Sequence, residues 1–220
     1  MIYKVSELFD LSHTIADELL LRVSEPYEAL PQIKSFIEKR IQILSPDEFE
    51  EIGEGVFAAK DAIISEKATV LGPTIIGHKA EIRPGAYIRG AVIIGNEAVV
   101  GNSTEIKNAI IFDGVQLPHY NYVGDSILGY KAHLGAGAVI SNFKLDHSNV
   151  KIKTSNGYVE TGLRKFGAIL GDFVEVGCNS VICPGSIIGK QTLIYPLSCV
   201  RGIVPPQSIM HRDGEITDRK

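Results

Sequence analysis

Apolar residues return at every sixth position over most of this chain. One register runs through Ile64, Val70, Ile76, Ile82, Ile88, Ile94, Val100, Ile106, Phe112 and Pro118. A second runs through Leu128, Leu134 and Ile140, and a third through Leu170, Val176, Ile182, Ile188, Ile194 and Val200. Glycine often follows the apolar residue, as at Gly77, Gly95, Gly135 and Gly177. A helical period misses these positions, and a plain alternating strand leaves the glycines unexplained. Self-similarity at a period of six predicts an all-β main domain, a parallel β-helix of hexapeptide repeats. Each rung supplies a short strand and a tight corner. Three rungs close a triangular coil of about 18 residues, and coils stack at roughly 4.8 Å.

Residues 1–51 lie outside the repeat. Met1–Arg22 and Pro31–Leu44 carry helical spacing, with Ile33, Phe36, Ile37, Ile41 and Leu44 on one face. Ser45-Pro46-Asp47 reads as a cap followed by proline at the first helical position. The segment is expected to be a small helical cap over the open N-terminal end of the column, because a bare terminal coil exposes strand edges. The β-helix is expected over residues 52–205, with an irregular tail at 206–220 after Val204-Pro205-Pro206. Two interruptions are predicted. At Pro118–Val123 the register restarts late, which places His119 and Tyr122 in an inserted stretch. At about 143–167 a longer insertion carries Asn156-Gly157 between alternating residues, a strong hairpin signal. From Lys144 to Lys165 there are five Lys or Arg and two acids, so this hairpin is expected to meet an anion.

Composition narrows the function. A hydrophobic fraction of 45%, with 22 glycines and no tryptophan, suits a narrow column of Ile, Val and Leu. A net charge of −4 gives no electrostatic case for nucleic acid. No apolar run is long enough for a membrane span. The N-terminus lacks a charged-then-apolar signal pattern, so a cytoplasmic location is expected. Cys178, Cys183 and Cys199 are odd in number and lack the paired spacing of a zinc site. They read as column or wall residues in a reducing compartment, and no metal is expected.

A few groups are out of place in a structural column. Arg83 follows Ile82 where glycine is common, Glu105 and Lys107 flank Ile106, His119 falls in the first insertion, and Lys165 closes the second. Arg83 and Lys107 are separated by one coil and one side, and two cations converging there would bind a phosphate. His119 is the acid–base candidate, because imidazole titrates near neutrality.

The ordered set Arg83-Pro84-Gly85-Ala86, Glu105-Ile106-Lys107, His119-Tyr120-Asn121-Tyr122-Val123-Gly124-Asp125, Leu134-Gly135-Ala136-Gly137 and Asn142-Phe143 resembles glucosamine-1-phosphate N-acetyltransferase domains. Those are the left-handed β-helix halves of bifunctional UDP-N-acetylglucosamine synthesising enzymes. The continuation Gly162-Leu163-Arg164-Lys165-Phe166-Gly167 is similar to their archaeal-type sugar-1-phosphate branch. The resemblance implies a left-handed β-helix that uses acetyl-CoA to acetylate the amine of an amino-sugar 1-phosphate, in a homotrimer with sites between subunits. It implies that Arg83, Lys107 and Lys165 hold the sugar phosphate, and that His119 is the general base. Tyr122 and Asn142 would lie where sugar and acetyl-CoA meet. Ala136 would offer a backbone donor near the coenzyme, and Cys178 stands where the family has serine near its thiol. Glu105 and His133 complete the implied substrate set, and Tyr195 and Arg201 the coenzyme set. There are departures. His133 replaces an asparagine, Phe143 replaces a tyrosine and loses its hydroxyl, and the 220 residues hold no uridylyltransferase half.

The chemistry so implied is direct acylation of an amine, with His119 taking its proton and a backbone N–H in Gly135–Gly137 stabilising the oxyanion. Galactosamine 1-phosphate and nucleotide-linked amino sugars remain open as acceptors. Two other classes compete. A trimeric zinc lyase of the γ-carbonic anhydrase type needs three histidines, and His78, His119 and His133 do not match its spacing. A non-catalytic assembly module would use the column only as scaffold.

Overall fold

The computed structural model describes residues 2–219, so Met1 of the expected cap and Lys220 of the expected tail lie outside the described residues. Its body is the expected parallel β-helix with three walls. One wall stacks the strands Thr74–Ile76, Val92–Ile94, the second half of Glu105–Ile111, the second half of Tyr122–Leu128, Ala168–Leu170 and Ser186–Ile188. A second stacks Glu81–Ile82, Val99–Asn102, Gln116–His119, His133–Leu134, Glu175–Val176 and Leu193–Ile194. The third stacks Tyr87–Ile88, the starts of the two long strands, Val139–Ile140, Val181–Ile182 and Cys199–Val200. This third face is the groove wall. The apolar residue of each rung points inward, and the column from Ile76 to Val200 is buried.

The register differs from the sequence pattern at one place. Ile94 pairs with Ile111, and Ile111 with Leu128, so these coils are one residue short. The column therefore takes Ile111 and Leu117, not Phe112 and Pro118. In the preceding coil this corner is turned by two residues of positive φ, Gly90 and Ala91. Here a single residue turns it, Asn108 in one coil and Asp125 in the next, with φ of 46° and 49°. Phe112 misled the pattern because it is buried from outside, its ring 5.0 Å from that of Phe9. There is accordingly no insertion at Pro118–Val123. His119 ends an ordinary strand at an ordinary corner.

Residues 4–44 form short helices, Val5–Leu8, Asp17–Leu21 and Ile33–Arg40, joined by 3-10 turns. They do not plug the end of the column. They lie along the first wall, whose outward row is Ile75, Ile93, Ile110, Ile127, Ile169 and Ile187 in register. All six are at most 1% exposed. Burying each is worth about 1.5–3 kcal/mol, which is why the segment packs on this wall. Backbone bonds anchor it: Asp172 N–H donates to Leu8 O at 3.0 Å, and Asp113 N–H to His13 O at 3.1 Å.

At each end of the column an antiparallel strand covers the edge of one wall. Phe49–Gly53 folds back on Val56–Ala59, and Ile216–Asp218 on Ser208–Met210. Ser45-Pro46-Asp47 is a turn into the first of these strands and starts no helix. The tail is more ordered than expected, because Met210 pairs with Ile194 and extends the column past residue 205. The hairpin pairs Lys151–Thr154 with Gly157–Glu160, and its two-residue loop is Ser155-Asn156, one position earlier than predicted. Its buried Val150 and Ile152 tie it to the body. Gly185 and Gly202 let it approach: a Cβ at either would meet Lys151 O or Lys153 O within 2.9 Å. Among the described residues no helix is long and apolar enough to cross a membrane.

Candidate active site

The groove wall has two edges, and the chemistry-bearing residues collect on both. At the first edge Asn102, His119, Ala136 and Cys178 stack in successive coils. The ladder is Tyr120 N–H to Asn102 O at 2.9 Å, Gly137 N–H to His119 O at 3.1 Å, Asn179 N–H to Ala136 O at 2.9 Å and Leu197 N–H to Cys178 O at 3.0 Å. Coil spacing places Ala136 about 4.8 Å and Cys178 about 10 Å along the axis from His119. Buried Asn121 sets this corner. Its side-chain N–H groups donate to Gly135 O at 2.9 Å and Ala138 O at 3.1 Å, and its Oδ1 accepts from His119 N–H at 3.3 Å. The His119 side chain is exposed. Gly135 N–H donates to Val176 O and Gly137 N–H to His119 O. Between them, Ala136 N–H has no acceptor among the described residues.

The second edge carries the cations. Arg89 and Lys107 stand one above the other, since Ile88 pairs with Ile106. Arg89 Nη1 lies 2.7 Å from Glu105 Oε1, and Lys107 Nζ 3.4 Å from Asp125 Oδ2. The Asp125 carboxylate is 6% exposed and also accepts from Asn108 and Asn142 side-chain amides. Tyr122 faces outward beside them. Burial, with the Glu105 and Asp125 carboxylates, pushes its phenol above the ordinary value. Arg89, Lys107, Tyr122, Asn142, Phe143 and Lys165 line a cavity of about 320 Å³. Across Phe143 a larger cavity of about 640 Å³ runs beneath the hairpin, past Lys153, Tyr158, Cys183 and Arg201. Burial and the Cys199 sulfur at 3.7 Å push the Cys183 thiol up to about 11.

The structure thus joins Glu105, Lys107, Tyr122, Asn142 and Lys165 at one edge, and His119, Ala136 and Cys178 at the other. It does not bring Arg83 to Lys107. Arg83 turns the opposite corner and forks onto Glu81 at 3.0 and 2.9 Å. Residues stack directly when 18 apart, and Arg89, not Arg83, is 18 residues before Lys107. That spacing was the signal that would have found Arg89. His133 faces out from the second wall, its Nδ1 2.8 Å from Glu175 Oε2. His78, against Asp61 at 2.9 Å, lies apart from both His119 and His133. Tyr195 lies toward the C-terminal end, its ring 4.9 Å from His211. Arg201 lines the larger cavity. All three cysteines are free.

Comparison with known proteins places this architecture. Residues 70–161 match the family described as the GMPPB C-terminal domain, a stretch that contains His119, Lys107 and Asn142. A putative uncharacterised acetyltransferase of Escherichia coli, YaiX, is 33% identical over 168 residues, covering 76% of this chain and 73% of that protein. The chain belongs to the left-handed β-helix acetyltransferase family. It is also similar to a bifunctional sugar-1-phosphate nucleotidylyltransferase/acetyltransferase of Sulfurisphaera tokodaii, 37% identical over 159 residues, covering 64% of this chain and 40% of that protein. The bifunctional protein GlmU of Methanococcus maripaludis is 31% identical over 137 residues, covering 62% of this chain and 33% of that protein. The chain therefore spans about two-fifths or less of the length of these bifunctional relatives.

Proposed function

We propose that this chain transfers the acetyl group of acetyl-CoA to the amine of a sugar that carries a phosphate, of the glucosamine 1-phosphate type. One observation carries the reading: three cations, Arg89, Lys107 and Lys165, line one cavity at one edge of a wall whose other edge presents His119. The phosphate enters the cavity, where the Arg89 guanidinium offers a fork and the lysines point charges. The sugar spans the wall past Tyr122, so its amine reaches His119. The amine nitrogen attacks the thioester carbonyl, its proton passes to His119, and the carbon–sulfur bond breaks to give the coenzyme thiolate, which takes up a proton. The unused Ala136 N–H, one coil away, is the donor available to the developing oxyanion. The larger cavity, with Arg201 and Lys153, is positioned for the coenzyme phosphates. Arg83 and His133 take no part within the protomer.

The groove wall is open. Tyr87 and Val181 on its outward row are 39% and 42% exposed. We infer a C3 homotrimer in which a second copy closes this groove. A stable monomer at micromolar concentration in sedimentation would remove that part of the reading. The activity is tested by offering acetyl-CoA with a panel of amino sugars, their 1-phosphates and nucleotide-linked forms, and detecting free thiol. Turnover is expected with phosphorylated acceptors, weakly or not at all with free glucosamine. Binding of acetyl-CoA without turnover of any acceptor would leave a scaffold and sink the proposal.

A further inference from the structure

The phosphate cavity is held from behind by a part of the chain outside the repeat. The turn Pro26–Gln32 lies against the corner that carries Lys107 and against the residue that follows Lys165. Asn108, next to Lys107, splits its side-chain amide between two acceptors: Leu30 O at 3.2 Å and Asp125 Oδ1 at 2.9 Å. The other oxygen of Asp125 holds Lys107 Nζ at 3.4 Å. The chain of contact therefore runs Leu30, Asn108, Asp125, Lys107. A second chain starts from Tyr27, whose ring stacks on Phe166 at 5.7 Å. Phe166 is fully buried, follows Lys165, and donates its N–H to Asn142 O at 3.0 Å. Both chains end on side chains that line the same cavity.

We propose that residues 26–32 are a positioning element for the acceptor site. They fix Lys107 through Asn108 and Asp125, and Lys165 through Phe166. The inference rests on the reading of Lys107 and Lys165 as phosphate-binding. The physical case is one of satisfaction and reach. Asp125 is almost fully buried and must have its donors. If the Asn108 donor is lost, the carboxylate leans on the two that remain, Asn142 and the Lys107 ammonium. Lys107 is then drawn inward, away from a ligand. A lysine whose charge is committed to a buried carboxylate is a weaker phosphate ligand than one balanced between carboxylate and cavity.

Asn108→Gly tests this, since glycine accepts the φ of 46° and removes only the side-chain bonds. It is compared with Lys107→Ala and Tyr27→Leu in steady-state kinetics with acetyl-CoA and glucosamine 1-phosphate. Asn108→Gly is expected to raise the acceptor KM about tenfold, while kcat and the KM for acetyl-CoA stay within about twofold. Tyr27→Leu should show the same split more weakly, and it carries the test if Asn108→Gly is unstable. If Lys107→Ala leaves the acceptor KM unchanged, the phosphate reading itself falls. If Lys107→Ala raises it and both Asn108→Gly and Tyr27→Leu leave it alone, the reading stands and the positioning role is refuted. A parallel loss of kcat and both KM terms, together with a lowered melting point, would make the turn a cover for the wall and nothing more.

Discussion

The first wall and the groove wall share one inward column and differ in their outward rows. On the first wall the outward residues are six isoleucines, sealed by the N-terminal segment. On the groove wall they are Tyr87, Glu105, Tyr122, Val139, Val181 and Cys199, open to solvent or half-buried. The backbone and its ladder are the same on both. The difference shows that inward residues specify that a coil forms, and outward residues decide what a wall does. Six aliphatic side chains in a row have no use except burial, and an amphipathic segment of the same chain supplies it. A row of aromatic, acidic and small residues between two polar corners is left free to meet ligands or a second copy.

That contrast can be broken by substitution. The largest effect is expected at the groove wall's first edge. His119→Ala should cut kcat by about 10²–10⁴-fold, the span for a positioned base, with no change in melting temperature, because the side chain is exposed at a corner. Near-normal turnover would dismiss His119 as the base.

On the first wall Ile127→Ala should cost about 2–5 kcal/mol in denaturant unfolding, the range for truncating a buried isoleucine. Val181→Ala on the groove wall should change the protomer by about 0.5 kcal/mol or less. Equal costs at the two sites would erase the distinction between the walls.

At the second edge, Arg89→Ala and Lys107→Ala should each weaken use of the phosphorylated acceptor by about 1.5–3 kcal/mol in kcat/KM, as for hydrogen bonds to charged groups. Arg83→Ala, whose guanidinium is held by Glu81, should leave the acceptor KM unchanged. A loss at Arg83 equal to that at Arg89 would show that a neighbouring copy brings Arg83 to the site.

The smallest effect belongs to the hairpin. Lys153→Gln should raise the KM for acetyl-CoA about threefold at low salt and less at high salt, because partly exposed charges are screened. No change at any ionic strength would remove the hairpin from the coenzyme site. Deleting 147–162 is not a clean alternative, since it takes out buried Val150 and Ile152.

Much of the site was legible as residue types and little of it as geometry. Lys107, Tyr122, Asn142 and Lys165 were identifiable from the sequence and do share an edge. Arg83 stands out because it occupies a glycine position, a local oddity, while stacking depends on the 18-residue coil, which selects Arg89. No role for Asp125 or Asn108 is legible, because nothing local distinguishes a corner residue that organises a cation from one that only turns the chain.

Alone, the sequence determined that the chain forms a β-helix, where the insertion leaves and returns, and that a hairpin lies within it. The reason is that a period of six, with glycine at corners, is a short-range constraint repeated many times, and each copy restates the others. It also carries the doubled pairs Ile75-Ile76, Ile93-Ile94, Ile110-Ile111 and Ile127-Leu128 that mark a wall buried on both faces. Only the tertiary structure decided that the N-terminal segment lies along that wall and not over the end. The helices' apolar face required only an apolar partner, and the uninterrupted isoleucine row is a larger one than the first open coil. It also decided the five-residue step at Asn108 and Asp125. Ile111 and Phe112 are both apolar and both buried, one by the column and one by Phe9, and hydrophobicity alone does not say which of two neighbours faces in.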